Sequence, residues 1–245
     1  MIYYLYDGTF EGLLTAVYEA YYRREKPSYI ITKDQYEANL FSRPVTIISD
    51  YEKFYKVYRA IEEKISPQAL RQVYYVFLSD LKDAATLIYH YLQLGWQVGA
   101  DVDSHLFREP VRKMLAVYRQ VCQERHRLLG LLRFRLLAED IYLASCEPDH
   151  NIVSLLAPHF ARRMADQNWI IHDQKRSLAA VYNRREWFIA SLNFSEQPVY
   201  GADEEMYQQL WKQYFAGTAI ADRQNLRLQR QFMPVRYWKH LIEKN

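Results

Sequence analysis

The chain has 245 residues, enough to bury one large core or two ordinary ones, and half of its residues are apolar. A quarter are charged, the net charge is +3, and no block of like charge marks a disordered tail. Cys122 and Cys146 are too few for a disulfide scaffold, and two thiolates cannot by themselves hold an iron–sulfur cluster or a structural zinc.

The start, MIYYLYDGTFEG, lacks a basic segment followed by an apolar core, and the longest uncharged run, Ala84–Ala100, carries His90, Gln93 and Gln97. Neither a signal peptide nor a membrane span is expected, and reduced thiols fit a cytoplasmic protein. IYYLYDG reads as a strand ending at Asp7-Gly8, and the spacing of Phe10, Leu13, Leu14, Val17, Tyr18 and Tyr21 predicts a helix. YIIT and PVTIIS are two further short strands, expected in a small sheet with the first.

A helical block follows. Phe54, Val57, Tyr58, Ile61 and Ile65 keep helical spacing, and Ser66-Pro67 reads as an N-cap with proline at the first helical position of the next helix. A third helix runs through Ala84–Leu94 with Gly95 as expected C-cap, and a fourth from about Glu109 to Leu129, ending near Gly130. Beyond Gly130, RFRLL and IYLAS predict a hairpin, DHNIVSLLAPHFARRMA a helix, and WIIHD, SLAAVY and EWFIASL three more strands. NFSEQPVYGADEE is a connection, and MYQQLWKQYF a helix before the tail. The fold class expected is α+β: N-terminal strands with a helical block, then a small antiparallel sheet with a packed helix and a helical C-terminal tail. The parts fall at 1–130, 131–195 and 196–245, which together could make one compact domain.

The charge is unevenly spread. Residues 1–104 hold 11 Lys+Arg against 14 Asp+Glu, a net −3, whereas residues 105–245 hold 21 against 15, a net +6. Most of the latter cations are arginine, which forks bidentately onto phosphate.

The helix after Pro148 has Asp149 as its expected cap. On a helical wheel started at Ile152, Leu155 falls at about 300°, Leu156 at about 40°, His159 at about 340° and Arg163 at about 20°. His159 and Arg163 thus lie within the apolar stripe. Arg163 must then meet a carboxylate, a carbonyl or a phosphate, or reach the surface at the end of the stripe, and Asp173 is the nearest candidate partner in sequence. A structural Arg–Asp pair and a phosphate site are both open on this pattern.

His150, His159 and His172 lack i, i+4 spacing, and no HExxH, CxxC, GxGxxG, GxxxxGK[ST] or GxSxG occurs, so neither a metal nor another cofactor is expected. In RFR, Arg133 and Arg135 would share one face of a strand. In the tail, Arg223, Arg227 and Arg230 share a helical stripe about 60° wide, and Tyr237, Trp238, Leu241 and Ile242 are expected to anchor the tail to the core.

YLYDGTFEGLLTAVYEAY, PDHNIVSLLAPHFARR with WIIHDQKR, and RQNLRLQRQFMPVRYW together resemble a bacterial "probable DNA metabolism protein" family of unknown function, over essentially the whole chain. Such proteins accompany a radical SAM protein of DNA modification or repair, and a similar domain is fused ahead of a uracil-DNA-glycosylase-like domain in longer relatives. No glycosylase domain is expected within these residues. The resemblance implies DNA and the radical SAM protein as partners. Within its segments, His159, Arg162, Arg163, Asp173, Arg176, Arg223, Arg227 and Arg236 are the candidate site residues, with Arg230 in the same tail stripe.

Two functions follow as expectations. The first is a DNA metabolism or repair accessory protein that binds nucleic acid through Arg162, Arg163, Arg176, Arg223, Arg227, Arg230 and Arg236 and presents it to a radical SAM or glycosylase-type enzyme. The alternative is a nucleic-acid-processing enzyme with His159 and Asp173 as acid–base groups.

Overall fold

In the computed structural model, which describes residues 1–23, 26–194, 198–220 and 225–244, strand β1 (Ile2–Tyr6) pairs in parallel with β2 (Tyr29–Thr32) on one side and β3 (Arg43–Thr46) on the other. Helix α1 (Phe10–Tyr22) makes the crossover from β1 to β2, the connection that parallel pairing requires. The turn into α1 is tightly specified. The Thr9 hydroxyl caps Gly12 N–H at 2.9 Å, and the Asp7 carboxylate accepts from Thr9 N–H at 3.0 Å and from the Ser49 hydroxyl at 2.7 Å. Gly8 takes φ +84°, and a Cβ on Gly12 would sit 2.1 Å from Asp7 Oδ1, so neither position accommodates a side chain.

Helices α2 (Tyr51–Lys64), α3 (Pro67–Phe77) and α4 (Ala84–Val98) complete the helical block. Ser66 caps α3 through Ala69 N–H at 3.0 Å with Pro67 in the first turn, as its dipeptide predicts. The α4 stop differs from expectation. The helix runs through Gly95, which lies against Ile65, and ends at Gly99 with φ +71°. Thr86 on α4 bonds both the N–H and the carbonyl of Ile30, each at 3.0 Å, and so satisfies groups of the edge strand β2. Leu13, Leu14, Ile30, Ile61, Ile88 and Leu92 are fully buried in the shared core.

Helix α5 (Glu109–Leu131) continues one residue past Gly130, and the division between the two compact units, Met1–Cys122 and Gln123–Asn245, falls within it. The second unit is built on a five-stranded sheet in the order β4-β5-β6-β7-β8, from β4 (Arg135–Leu136), β5 (Ile141–Cys146), β6 (Asn168–Asp173), β7 (Leu178–Asn183) and β8 (Trp187–Ser191). Three of its four pairings are antiparallel, as expected. The fourth, β5 with β6, is parallel, because helix α6 (Val153–Arg163) lies between those strands and brings the chain back in the same direction.

Asp149 does not cap α6, whose N-cap is Ile152. One face of the sheet, with Trp169 and Tyr182 stacked at 5.1 Å, receives Phe160 of α6, while His172 lies on the opposite face, its Nε2 3.1 Å from the Leu192 carbonyl. Helices α7 (Glu204–Thr218) and α8 (Leu226–Phe232) and a 3₁₀ segment, Val235–His240, finish the unit. Tyr237, Leu241 and Ile242 are buried and Trp238 half-buried, so the anchor read from the tail is present. Among the described residues, no helix is long and apolar enough to cross a membrane.

Candidate nucleic-acid interface

The last turn of α6 carries Arg163, which the helical wheel set within the apolar stripe, and its neighbour Arg162. Val153, Leu156 and Phe160 bury the helix, and Arg162 and Arg163 leave the core at its C-terminus, where the dipole favours cations. Both are exposed, and among the described residues neither makes a hydrogen bond or ion pair. Arg163 therefore reaches the surface and does not pair with Asp173.

His159 is half-buried with its ring edge-on to Phe160 at 5.0 Å, and its Nε2 is buried without a partner. Burial first, then Arg163, Arg162 and Arg125, hold its pKa below the ordinary histidine value. Arg125 is fixed nearby, donating from Nε to the Leu155 carbonyl at 3.0 Å, close to the ladder break made by Pro158.

Arg163 also edges a groove of about 630 Å³ whose walls include Phe134, Tyr142, Tyr207 and Trp211. Arg133 stands in the same groove, but Glu243 holds it by two bonds, 2.6 and 3.1 Å, and its guanidinium lies 5.2 Å from the Trp211 ring centre. Burial would raise the Glu243 carboxyl. Arg133, the backbone and the Trp211 indole N–H at 3.0 Å reverse that and hold it below the usual carboxylate range. Asp203 and Glu204 line the groove too, and the Glu204 carboxylate is occupied by Leu136 N–H and Gln208, each at 2.8 Å. Arg163 is thus a groove cation without a carboxylate of its own. Arg135 is not in this groove; it lies over Tyr200, 5.8 Å from the ring centre.

Asp173, Arg176 and Arg236 gather at the opposite end of α6. Asp173 is fully buried at the end of β6 and accepts from Lys175 N–H at 3.0 Å, Arg176 N–H at 3.3 Å and Arg176 Nη1 at 2.7 Å. The Arg176 guanidinium goes on to the carbonyls of Pro148 at 3.1 Å and Asp149 at 2.6 Å, tying the β6–β7 turn to the loop before α6. Glu124, 2% exposed, organises the same loop: it accepts from Asp149 N–H at 2.8 Å, His150 N–H at 2.9 Å and the Tyr237 hydroxyl at 2.5 Å. Arg236 bridges Asp149 at 2.6 Å and Glu124 at 3.4 Å. Cations and carboxylates alternate throughout this network.

Two groups of candidates are therefore separated by the 11 residues of α6, about 16 Å of helix. His159, Arg162 and Arg163 lie at its C-terminal end, whereas Asp173, Arg176 and Arg236 lie around its start. Among the described residues, no hydrogen bond or ion pair joins His159 to Asp173. Arg227 and Arg230 are exposed on α8 and make no bond or pair among the described residues; Arg223 lies outside them. Glu124, Trp211 and Glu243 were not singled out from sequence. Glu243 finds Arg133 across 110 residues, a pairing with no local signal. Among the described residues no three His, Cys, Asp or Glu side chains converge in a way that could hold a metal ion.

Fold and interface thus define an α+β protein with an arginine-edged aromatic groove in its second unit. The chain matches the family described as a domain of unknown function, DUF4130, over residues 82–243, and it belongs to that family. No curated protein matches it.

Proposed function

We propose that this protein is an accessory factor that binds nucleic acid through the C-terminal end of α6 and the adjoining groove and presents it to a partner enzyme. The observation that carries the proposal is the juxtaposition of Arg162 and Arg163, both exposed and unpaired among the described residues, with a groove walled by Phe134, Tyr142, Tyr207 and Trp211. Unpaired guanidiniums suit phosphates, and aromatic walls suit unstacked bases, so single-stranded or locally opened DNA is the ligand this arrangement favours. The radical SAM protein implied by the sequence resemblance is the partner of this reading.

Acid–base catalysis by His159 and Asp173 is the weaker reading, since the Asp173 carboxylate is buried and engaged by the β6–β7 turn. The test is fluorescence anisotropy with labelled single- and double-stranded DNA, with the radical SAM protein present and absent. Joint substitution Arg162→Ala and Arg163→Ala is expected to weaken binding about tenfold or more, the loss of at least one charge-assisted contact. Binding unchanged by that pair, or absent with and without the partner, would remove the proposal.

A further inference from the structure

The first unit has a cleft of its own, unconnected with the reading above. It is formed by the last turns of α1 and α4 and one face of α2, has a volume of about 250 Å³, and is walled by Tyr18, Tyr21, Tyr22 and Trp96 with Lys56 and Lys64 at its edges. On α2, Lys56, Ala60 and Lys64 fall within about 80° of one another, so the two ammonium groups flank a floor kept low by the small side chain of Ala60. The lysines stand eight positions apart, about 12 Å along the helix.

Three features distinguish this cleft from an ordinary half-buried aromatic face. Tyr21 and Tyr22, which line it, are 64% and 68% exposed and so leave ring surface open to solvent. Among the described residues Lys56 and Lys64 have no carboxylate partner and no acidic residue lines the cleft; the nearby Glu19 is already held by Lys53 at 2.8 Å and Arg23 at 2.6 Å. The indole N–H of Trp96, in the wall, is buried without an acceptor, an uncommon state for a donor of that strength. Tyr21 stands edge-on to that indole at 5.8 Å, and Tyr18 and Tyr22 lie 4.4 Å apart.

Open tyrosine faces recognise a planar ring, two unpaired ammonium groups recognise an anion, and the volume admits one ring system, not several. We propose that this cleft binds a nucleotide unit, a planar base carrying phosphate, with the ring against Tyr21 and Tyr22 and the phosphate on Lys56 or Lys64. The unit is either a free nucleotide or one residue of a single strand, and the two share the same recognition.

The experiment is calorimetric titration of the full chain with adenosine monophosphate, with a five-residue oligothymidylate and with inorganic phosphate. It is repeated on the Lys56→Ala/Lys64→Ala chain, on Tyr21→Ala and on Arg162→Ala/Arg163→Ala. Saturable binding of the monophosphate, weakened about tenfold by the lysine pair and by Tyr21→Ala but unchanged by the arginine pair, supports a free nucleotide as the ligand. Binding of the oligonucleotide alone, still present in the arginine variant and lost with the lysines, supports a residue of a strand. The lysines and Tyr21 are exposed, so their replacement leaves the core intact. No binding of either nucleotide, binding indifferent to the lysines and Tyr21, or inorganic phosphate competing as well as the monophosphate overturns the assignment. Loss of oligonucleotide binding in the arginine variant with monophosphate binding intact separates this cleft from the α6 interface.

Discussion

At the scale of single residues, the arginines of the second unit differ by whether a carboxylate accompanies them. Arg176 with Asp173, at 13% and 0% side-chain exposure, is a buried pair that also holds two loop carbonyls. Removing one member of such a pair leaves the other charge buried, so Asp173→Ala is expected to lower unfolding free energy by about 3–5 kcal/mol in denaturant titrations. His159 makes a different prediction. Its folded-state pKa lies below the unfolded one, so its contribution to stability is present above the ordinary histidine value of 6.5 and is lost as pH falls through the window below it. A phosphate beside Arg162 and Arg163 would favour the protonated ring, so DNA affinity should rise as pH falls through that window. His159→Gln should flatten the rise; a pH profile identical to that of the unaltered chain would place the phosphate elsewhere.

Among the elements, α6 decides where the interface lies. Its start is bound into a network of alternating charge through Glu124, Asp149, Arg176 and Arg236, and its end projects unpaired arginines beside an aromatic groove. A groove that stacks bases needs its rings, so Trp211→Ala should weaken single-stranded DNA binding by roughly 1–3 kcal/mol while duplex binding changes less, readable by anisotropy on both ligands. The turn from β1 into α1 is specified as closely by a hydrogen atom in place of a Cβ. Gly12→Ala would drive a methyl group to 2.1 Å from Asp7 Oδ1 and 2.8 Å from Ser49 Oγ. The strain should cost about 1–3 kcal/mol in thermal or chemical unfolding. Gly95→Ala meets the flexible end of the Ile65 side chain instead and should cost less.

For the molecule as a whole, the +6 net charge of residues 105–245 overstates what is available to a polyanion. Arg133, Arg176 and Arg236 are matched by Glu243, Asp173, and Glu124 with Asp149. If Arg162 and Arg163 each release one phosphate counterion, their joint removal should reduce the slope of log K against log salt on single-stranded DNA by about 1.4, at roughly −0.7 per contact. Arg236→Ala should leave that slope nearly unchanged. Equal slopes for both variants would mean that the paired and unpaired arginines act alike, contrary to the distinction drawn from their contacts.

The amino-acid sequence by itself determined the elements and much of their order. Periodicity placed the helices and strands of both units, Ser66-Pro67 marked a helix start, and the apolar run of the tail marked an anchor, because all of these are set by neighbours within a turn or two of chain. A helix between β5 and β6 already implied parallel pairing, although the strand patterns alone suggested an antiparallel sheet. What only the tertiary structure decided is which charges remain. Arg133 and Glu243, 110 residues apart, neutralise each other, and so do Arg236 and Glu124, 112 residues apart, whereas Arg162 and Arg163 meet no acid among the described residues. A helical wheel assigns each side chain a direction on its own element. Whether a carboxylate waits there depends on how distant segments are brought together, and at charged positions that outcome separates a structural arginine from one available to a ligand.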